Sequence, residues 1–412
     1  MKTGWRMQAK PMTISIMFVD ESRHVLSAIK RIFRRVHHQR ELRFATSPEE
    51  ALKQLAAEPA DVLISAMSFS GHSRMELLEK VRIRFPQTVR IVLSGSVSSD
   101  VVLEAADLAH QYIAKPFEEE ELISALDRAF FVKQLLDEEP LKKLVSQING
   151  LPTLPAIYVE LETQLSSDDT SMVTLGQIVA KDPGISAKLL QLANSSFFSR
   201  SQRILDPAKA VSLLGLDLVR SIVLAVGVMG GFKILFKDFS VENLWGHAML
   251  TATMARAIAK AENIDRETAD AAFSAGLLHD VGKLLIVAHL PERFHAIVEQ
   301  MKNDGTSMAA AEKKILGTTH AAVGACLLGL WGLPTPIVEA VAFHHALESR
   351  PDGLTALTIV HAADAFANAG PLLANGQTDI EELDYPYFEK IGLIDHLGKW
   401  RKTCLELLEQ QQ

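Results

Sequence analysis

Cysteine is almost missing from this chain: Cys326 and Cys404 are the only two in 412 residues. Neither belongs to a CxxC pair and each stands in an apolar helical pattern. That excludes a disulfide framework and a cysteine-ligated zinc site, and a reducing cytoplasm is the expected compartment. An excess of positive charge is missing as well. The formal net charge of -8 argues against a general nucleic-acid binder. The local basic run of Arg31, Arg34, Arg35, His37, His38 and Arg40 reads as the solvated face and exit of a surface helix. The first twenty residues hold no continuous apolar core followed by small residues, so no signal peptide is read there. The most suspicious apolar run, Ser221 to Phe232, is roughly half a bilayer span. It reads as a buried helix, and no membrane insertion is expected.

What is present is ordinary for soluble globular protein, with 48% hydrophobic and 22% charged residues over a length suited to two or three domains. The expected order is a tail at 1–12, an α/β domain at 13–132 and a linker helix at 133–148. An all-helical domain follows at 149–370, with parts at 149–240 and 241–370, and then a helical extension at 371–412.

From Ile14 short β-rich runs alternate with helical patterns: ISIMFVD, ELRFATS, DVLISAM, VRIVLSG and QYIAKPF each precede a helical stretch, one of them near VVLEAADLA. Five such units predict a doubly wound parallel sheet covered on both faces, with its site at the carboxyl ends of the strands. Those ends carry Asp20 and Glu21, Ala66, Ser94, and Lys115 followed by Pro116. The stretch from about Ile14 to Phe131 resembles the receiver domain of bacterial response regulators. In that family the acidic pair holds magnesium, the third-strand aspartate accepts a phosphoryl group, the hydroxyl residue senses it and the lysine contacts it. Asp20, Glu21, Ser94 and Lys115 keep their parts, but Ala66 stands at the phosphoacceptor position and Ser70 where proline is common. A methyl group cannot form an acyl phosphate. The neighbouring Ser65 points to the opposite face by strand alternation. Asp20, Glu21 and Lys115 then either retain magnesium or form a solvated ion cluster.

The helical region opens at a hinge near 149–155, around Asn149-Gly150 and LPTLP, where prolines break helices. Apolar residues at helical spacing continue through it, with Asp182-Pro183 and Asp206-Pro207 as helix starts. The motifs GLPTLP, IVAKDPGISAKLLQLANSSFF, AVSLLGLDLVRSIVLA, LLHDVGKLL, HAAVGACLLGLWGLP and AFHH follow one another in this order. This region, from roughly Val145 to Asn368, resembles the HDOD family, the HD-related output domain of bacterial signalling proteins. The resemblance implies a signalling or interaction module, often attached to a receiver.

Within it lie His247, the dyad His279-Asp280, His320, the pair His344-His345, and Asp364 with His361 one turn earlier. Imidazole and carboxylate suit iron, manganese, zinc or nickel. The pattern resembles the HD superfamily, in which a first His, a His-Asp dyad and a final Asp hold a metal. It also resembles the HD-GYP cyclic di-GMP phosphodiesterases, which add histidines for a second ion. By position His247, His279, Asp280 and Asp364 make the core site and His320, His344 and His345 the extra ligands. Lys283 faces phosphate if the domain is an enzyme. The segment after the double histidine, ALESRPDGLTAL, lacks the Gly-Tyr-Pro loop, and the stretch between Asp280 and His320 carries extra helices whose position could cover the site. Two readings of these polar groups remain open: a hydrogen-bonded network that specifies the bundle, or a mononuclear or dinuclear divalent-metal site. Burying two carboxylates beside six imidazoles without a cation requires several shifted protonation states, which favours metal.

The leading expectation is therefore a cytoplasmic two-component regulator, with a receiver lacking its phosphoacceptor and a metal-binding HDOD output that recruits other signalling proteins. Histidine kinases and cyclic-dinucleotide enzymes or their regulators are the expected partners. The alternative is a metal-dependent phosphodiesterase acting on cyclic di-GMP or a related nucleotide. The amphipathic C-terminal segment either packs back on the bundle or pairs with a second copy as a homodimer.

Overall fold

The computed structural model describes residues 14–35, 40–67, 69–71, 75–94, 108–115, 117–136, 138–147, 154–165, 170–195, 204–231, 239–347, 353–370 and 380–409. The tail expected at 1–12, most of the helix expected at VVLEAADLA, most of the hinge near 149–155, and His37 and His38 lie outside the described residues. Two compact units result, one of residues 1–133 with 330–332 and one of 134–329 with 333–412.

The first unit is a sheet of β1 (Ile14–Val19), β2 (Arg40–Ala45), β3 (Val62–Ala66), β4 (Val89–Ser94) and β5 (Gln111–Ala114). Its strands are all parallel and run in the order β2-β1-β3-β4-β5. Parallel pairing needs crossovers that cover the faces, so the inner strands β1, β3 and β4 are mostly apolar on both sides, while the outer β2 carries Arg40, Glu41 and Arg43. Ile16, Phe18, Val62, Leu63, Ile64, Ile91 and Val92 are accordingly fully buried. The helices are α1 (Arg23–Arg35), α2 (Pro48–Ala57), α3 (Glu76–Arg84) and α4 (Glu119–Leu136). Helix α2 starts where the Ser47 side chain accepts from the Glu50 N–H and Pro48 occupies the first turn. The register pairs Val19 with Ser65, Ala66 with Leu93 and Ser94 with Ala114. The carboxyl end of the sheet therefore gathers Asp20, Ala66, Ser94 and Lys115, as the sequence predicts.

The second unit is helical: α5 (Glu139–Gln147), α6 (Ala156–Leu165), α7 (Met172–Ala180), α8 (Pro183–Ala193), α9 (Pro207–Leu214), α10 (Leu216–Gly231), α11 (Val241–Ala261), α12 (Arg266–Leu278), α13 (Val281–His289), α14 (Pro291–Asp304), α15 (Met308–Leu316), α16 (His320–Leu330), α17 (Thr335–Phe343), α18 (Ala356–Asn368), α19 (Tyr385–Lys390) and α20 (Leu397–Glu409). Asp182 and Asp206 cap α8 and α9 by accepting backbone N–H groups, ahead of Pro183 and Pro207. The apolar run from Ser221 lies in α10 with Ile222, Val223, Leu224 and Ala225 buried, so it is core. A longer apolar stretch, Arg266–His289, has the length to cross a membrane, yet its most apolar window is 83% buried inside the protein.

Helix α11 packs chiefly on α12 and α18, and small residues set that spacing. A Cβ on Gly276 would lie 2.9 Å from the Ala252 Cα. The C-terminal segment packs back: α20 lies on α11 and buries Trp400 and Cys404 completely. Trp400 Nε1 donates to Glu262, which follows α11, over 2.8 Å.

Candidate metal centre

The continuous apolar pattern of FSAGLLHDVGKLL predicts His279 and Asp280 inside one helix. Instead His279 ends α12 and Asp280 precedes α13, while His344 and His345 follow α17 in a turn. Gly282 shows why the turn forms there. A Cβ on it would stand 2.0 Å from the His320 carbonyl oxygen and 2.7 Å from the Gly324 nitrogen. Only glycine lets the start of α13 press against the start of α16, and that contact sets Asp280 beside His320.

All seven predicted ligands converge. His247 Nε2 lies 3.2 Å from His279 Nε2, 3.0 Å from Asp364 Oδ1 and 3.9 Å from Asp280 Oδ2. His279 Nε2 lies 3.4 Å from Asp280 Oδ2 and 3.5 Å from Asp364 Oδ1. The other oxygen of Asp280 faces away from this group, 3.2 Å from His320 Nε2, which is 3.3 Å from His345 Nε2. His344 joins both sides, grouping with His320 and His345 and also with His279 and Asp364. Atoms bound at about 2.1 Å to a single ion lie about 3.0 to 3.4 Å apart in octahedral or tetrahedral geometry. Apart from the 3.9 Å between His247 and Asp280, the separations here lie within about 0.1 Å of that spacing, in two ligand groups that share Asp280. His344 Nε2 is buried with no hydrogen-bond partner, as a donor atom reserved for a cation would be.

The ring nitrogens turned away from this centre are fixed. His279 Nδ1 donates to the Gly276 carbonyl (2.7 Å), His344 Nδ1 to the Val341 carbonyl (2.8 Å) and His320 Nδ1 to Glu312 (2.7 Å). Each contact leaves Nε2 as the inward atom, the arrangement by which outer groups orient imidazole ligands. Glu312 is wholly buried and also accepts the His320 backbone N–H. It comes from α15, so the extra helices before His320 do not merely stand over the site; they buttress a ligand. No spacing rule pointed to Glu312. His361, by contrast, donates through Nδ1 to the His344 carbonyl and accepts at Nε2 from the Asp384 N–H. Burial lowers its pKa, and both nitrogens of the neutral ring are used, so it supports the centre and is no ligand.

Burial opposes every charge here, and the neighbours decide the outcome. Burial disfavours ionised Asp280, but His279, Lys283 and His320 outweigh it and hold the carboxyl well below its usual range. Asp364 is held low against burial by His279 and His247. Burial likewise resists charge on His279, yet Asp280 and Asp364 raise its pKa. His320 is pushed up to about 9, Glu312 overcoming burial. His344 falls well below the ordinary value through burial and its neighbours His345 and His279. His345 is exposed as a residue, but its ring turns inward onto His320 and its pKa is lowered too. Lys283 donates to Asp280 Oδ2 over 2.6 Å, and that carboxylate raises its pKa against burial. Without a cation, the raised pKa values of His279 and His320 favour protons beside these acids. A metal would displace them, so binding is coupled to proton release.

At the carboxyl end of the sheet the polar groups satisfy one another. Lys115 Nζ lies 2.5 Å from Asp20 Oδ2, and Asp20 Oδ1 accepts from the Ser22 N–H. Glu21 accepts from the N–H and hydroxyl of Ser70, at 2.5 Å and 3.0 Å. Ala66 ends β3, and the buried Ser65 hydroxyl donates to the Ala66 carbonyl. The Ser94 side chain lies outside what is described.

Sequence comparison agrees with this architecture. The family model of the response regulator receiver domain matches residues 16–127, and that of the HDOD domain matches residues 151–347. The chain is a receiver domain joined to an HDOD domain. The HDOD match includes six of the seven ligand positions and stops before Asp364. An uncharacterized protein of Treponema pallidum is 27% identical over 240 residues, 58% of this chain and 46% of that protein. The hydrogenase transcriptional regulatory protein HoxA of Cupriavidus necator is 30% identical over 119 residues, 28% of this chain and 24% of its own. The chain thus spans less than half the length of these curated relatives. The crystal structure of an HDOD domain protein of unknown function from Geobacter sulfurreducens shares the fold, with a TM-score of 0.50 and 23% identity over 65% of this chain and 97% of that one. A receiver joined to an HDOD domain makes this chain a signal-transduction regulator.

Proposed function

We propose that the HDOD domain is a divalent-metal module with room for two ions, and that this regulator signals by recruiting other signalling proteins in the cytoplasm. The convergence of His247, His279, Asp280 and Asp364 on one side of Asp280, and of His320, His344 and His345 on the other, carries the reading. His247, His279, Asp280 Oδ2 and Asp364 would hold the first ion; Asp280 Oδ1, His320, His344 and His345 the second. Imidazole with carboxylate suits iron, manganese, zinc or nickel. The receiver works without phosphoryl transfer, because Ala66 offers no acceptor and Lys115 is committed to Asp20. Metal titration of chelator-stripped protein by calorimetry tests the module. Up to two ions should bind, with one set of sites lost in Asp364→Ala. Heat changes no larger than those of dilution would end the proposal.

One observation favours a second reading. Asp280 offers an oxygen to each ligand group, and Lys283 beside it keeps a partly exposed side chain, an arrangement that suits a phosphodiester bound across two ions. Metals there would polarise a phosphoryl oxygen and supply hydroxide. On this reading the domain is a metal-dependent phosphodiesterase for cyclic di-GMP or a related nucleotide. Turnover with manganese or ferrous iron, abolished in Asp280→Ala, would establish it. No hydrolysis in the metal-loaded protein would leave the non-enzymatic regulator.

A further inference from the structure

The segment at 380–409 is joined to the ligand set at two points. Asn368 lies one turn beyond Asp364 on α18, and its Nδ2 donates to Asp364 Oδ1 over 3.3 Å and to Glu382 Oε2 over 2.6 Å. A single amide nitrogen with two hydrogens thus ties a ligand carboxylate to the C-terminal segment. The second link runs through His361. The Asp384 N–H donates to His361 Nε2 over 3.1 Å, and His361 Nδ1 donates to the carbonyl of the ligand residue His344 over 2.7 Å. Tyr387 reinforces this end, its hydroxyl lying 3.3 Å from that of Thr358 on α18. The far end of the segment is anchored separately. Glu262 accepts from Trp400 Nε1, and also pairs with Lys399 and His396, each at 3.0 Å. Glu262 follows α11, the helix that carries His247.

Asn368, His361, Glu382 and Asp384, the residues that make the links at the ligand set from the C-terminal side, fall outside the HDOD match, which ends at residue 347. Glu382 and Asp364 hang on one nitrogen, so two carboxylates are held close together at the rim of the centre. A dication bound by Asp364 reduces their repulsion. Ordering Asn368 also orients Asp364, as outer partners do for metal ligands.

We infer that residues 380–409 are a reporter of metal occupancy: their docking through Asn368 and His361 strengthens metal binding, and metal binding tightens their docking. Such coupling is necessarily reciprocal. The inference rests on the reading of the HDOD domain as a metal module. It makes Asn368 and His361 positioning residues and gives the centre a route to a surface element without chemistry.

Hydrogen exchange of the full chain, read by mass spectrometry with and without saturating Mn2+, tests it alongside calorimetric Mn2+ titration. Mn2+ should slow exchange across 380–409. Asn368→Ala should remove most of that slowing and weaken Mn2+ binding about tenfold, the scale of an outer-partner loss. Glu382→Gln keeps the shape of an exposed side chain and should fold normally. It should reduce the slowing while changing affinity only a few-fold, because an exposed charge is screened. Mn2+ binding to the intact chain with exchange at 380–409 unchanged, or slowing that persists in both variants, would overturn the reporter and spare the metal module. No binding of Mn2+ to the intact chain would overturn both.

Discussion

Replacing Gly282 by alanine sets local preference against packing. Gly282 lies in α13, where alanine is favoured over glycine by roughly 0.5–1 kcal/mol. Helix propensity alone therefore predicts a more stable protein. The contact with α16 predicts the reverse. The new Cβ would stand 2.0 Å from the His320 carbonyl oxygen, 2.7 Å from the Gly324 nitrogen and 2.8 Å from the His320 carbonyl carbon. Comfortable contacts lie near 3.5 Å, so the two helices must part by over an ångström, and every blocking atom is backbone. Overpacking of this kind costs about 1–3 kcal/mol and sometimes more, and we place Gly282→Ala near 3 kcal/mol after the gain in propensity. For a unit of this size that lowers the melting temperature by about 6–12 °C. The same displacement parts Asp280 from His320, now 3.2 Å apart, so binding of a second metal ion should weaken more than binding of the first. Gly246→Ala is the matched control. It sits inside α11 with nothing within 4 Å of the added carbon, and it should stabilise by about 0.5–1 kcal/mol. Thermal unfolding of both variants followed by metal titration reads these effects. A Gly282→Ala protein that melts at or above the parent temperature and binds metal normally would refute the claim that this approach builds the site.

Three further outcomes follow from the same contacts. Glu312→Gln removes the charge that orients His320 through two bonds at 2.7 and 2.8 Å; metal affinity should fall about 10- to 100-fold, measured by competition with a chromogenic chelator. Burial opposes ionised Glu262, but Trp400, Lys399 and His396 outweigh it and depress its pKa below 4.5. A depressed carboxyl stabilises above its unfolded pKa and loses that contribution as pH falls through the folded one. Docking of α20 should therefore weaken below about pH 4.5, and Glu262→Gln should flatten that dependence in the Trp400 environment followed by fluorescence. The receiver should gain no phosphoryl group from acetyl phosphate by intact mass, whereas Ala66→Asp restores an acceptor; labelling of the parent chain at an aspartate would contradict this.

Much of the fold was legible because its signals are local. Five β-rich runs spaced by helical patterns have few arrangements other than a covered parallel sheet, and Asp182-Pro183 and Asp206-Pro207 announce helix starts by cap chemistry that needs no partner. The seven ligands were legible because imidazoles and carboxylates on successive helices are costly to bury apart. Residues that act through another residue were not. Glu312 carries its meaning only through contact with His320, and Asn368 only through Glu382, across stretches with no periodic signal. The break at His279-Asp280 also escaped, since its apolar pattern runs on unbroken; the cause is the tertiary approach at Gly282. His361 shares a helix face with Asp364 without belonging to the ligand set, and both its nitrogens serve backbone groups.

The central claim is that these residues were assembled to hold metal. Elemental analysis of protein purified anaerobically, without added metal or chelator, tests it most directly. The account predicts one to two divalent transition-metal ions per chain, largely absent from Asp280→Ala, which removes the shared ligand. Folded parent protein with no stoichiometric metal, unable to take it up on reconstitution, would contradict the account and leave the cluster as a proton-neutralised polar network.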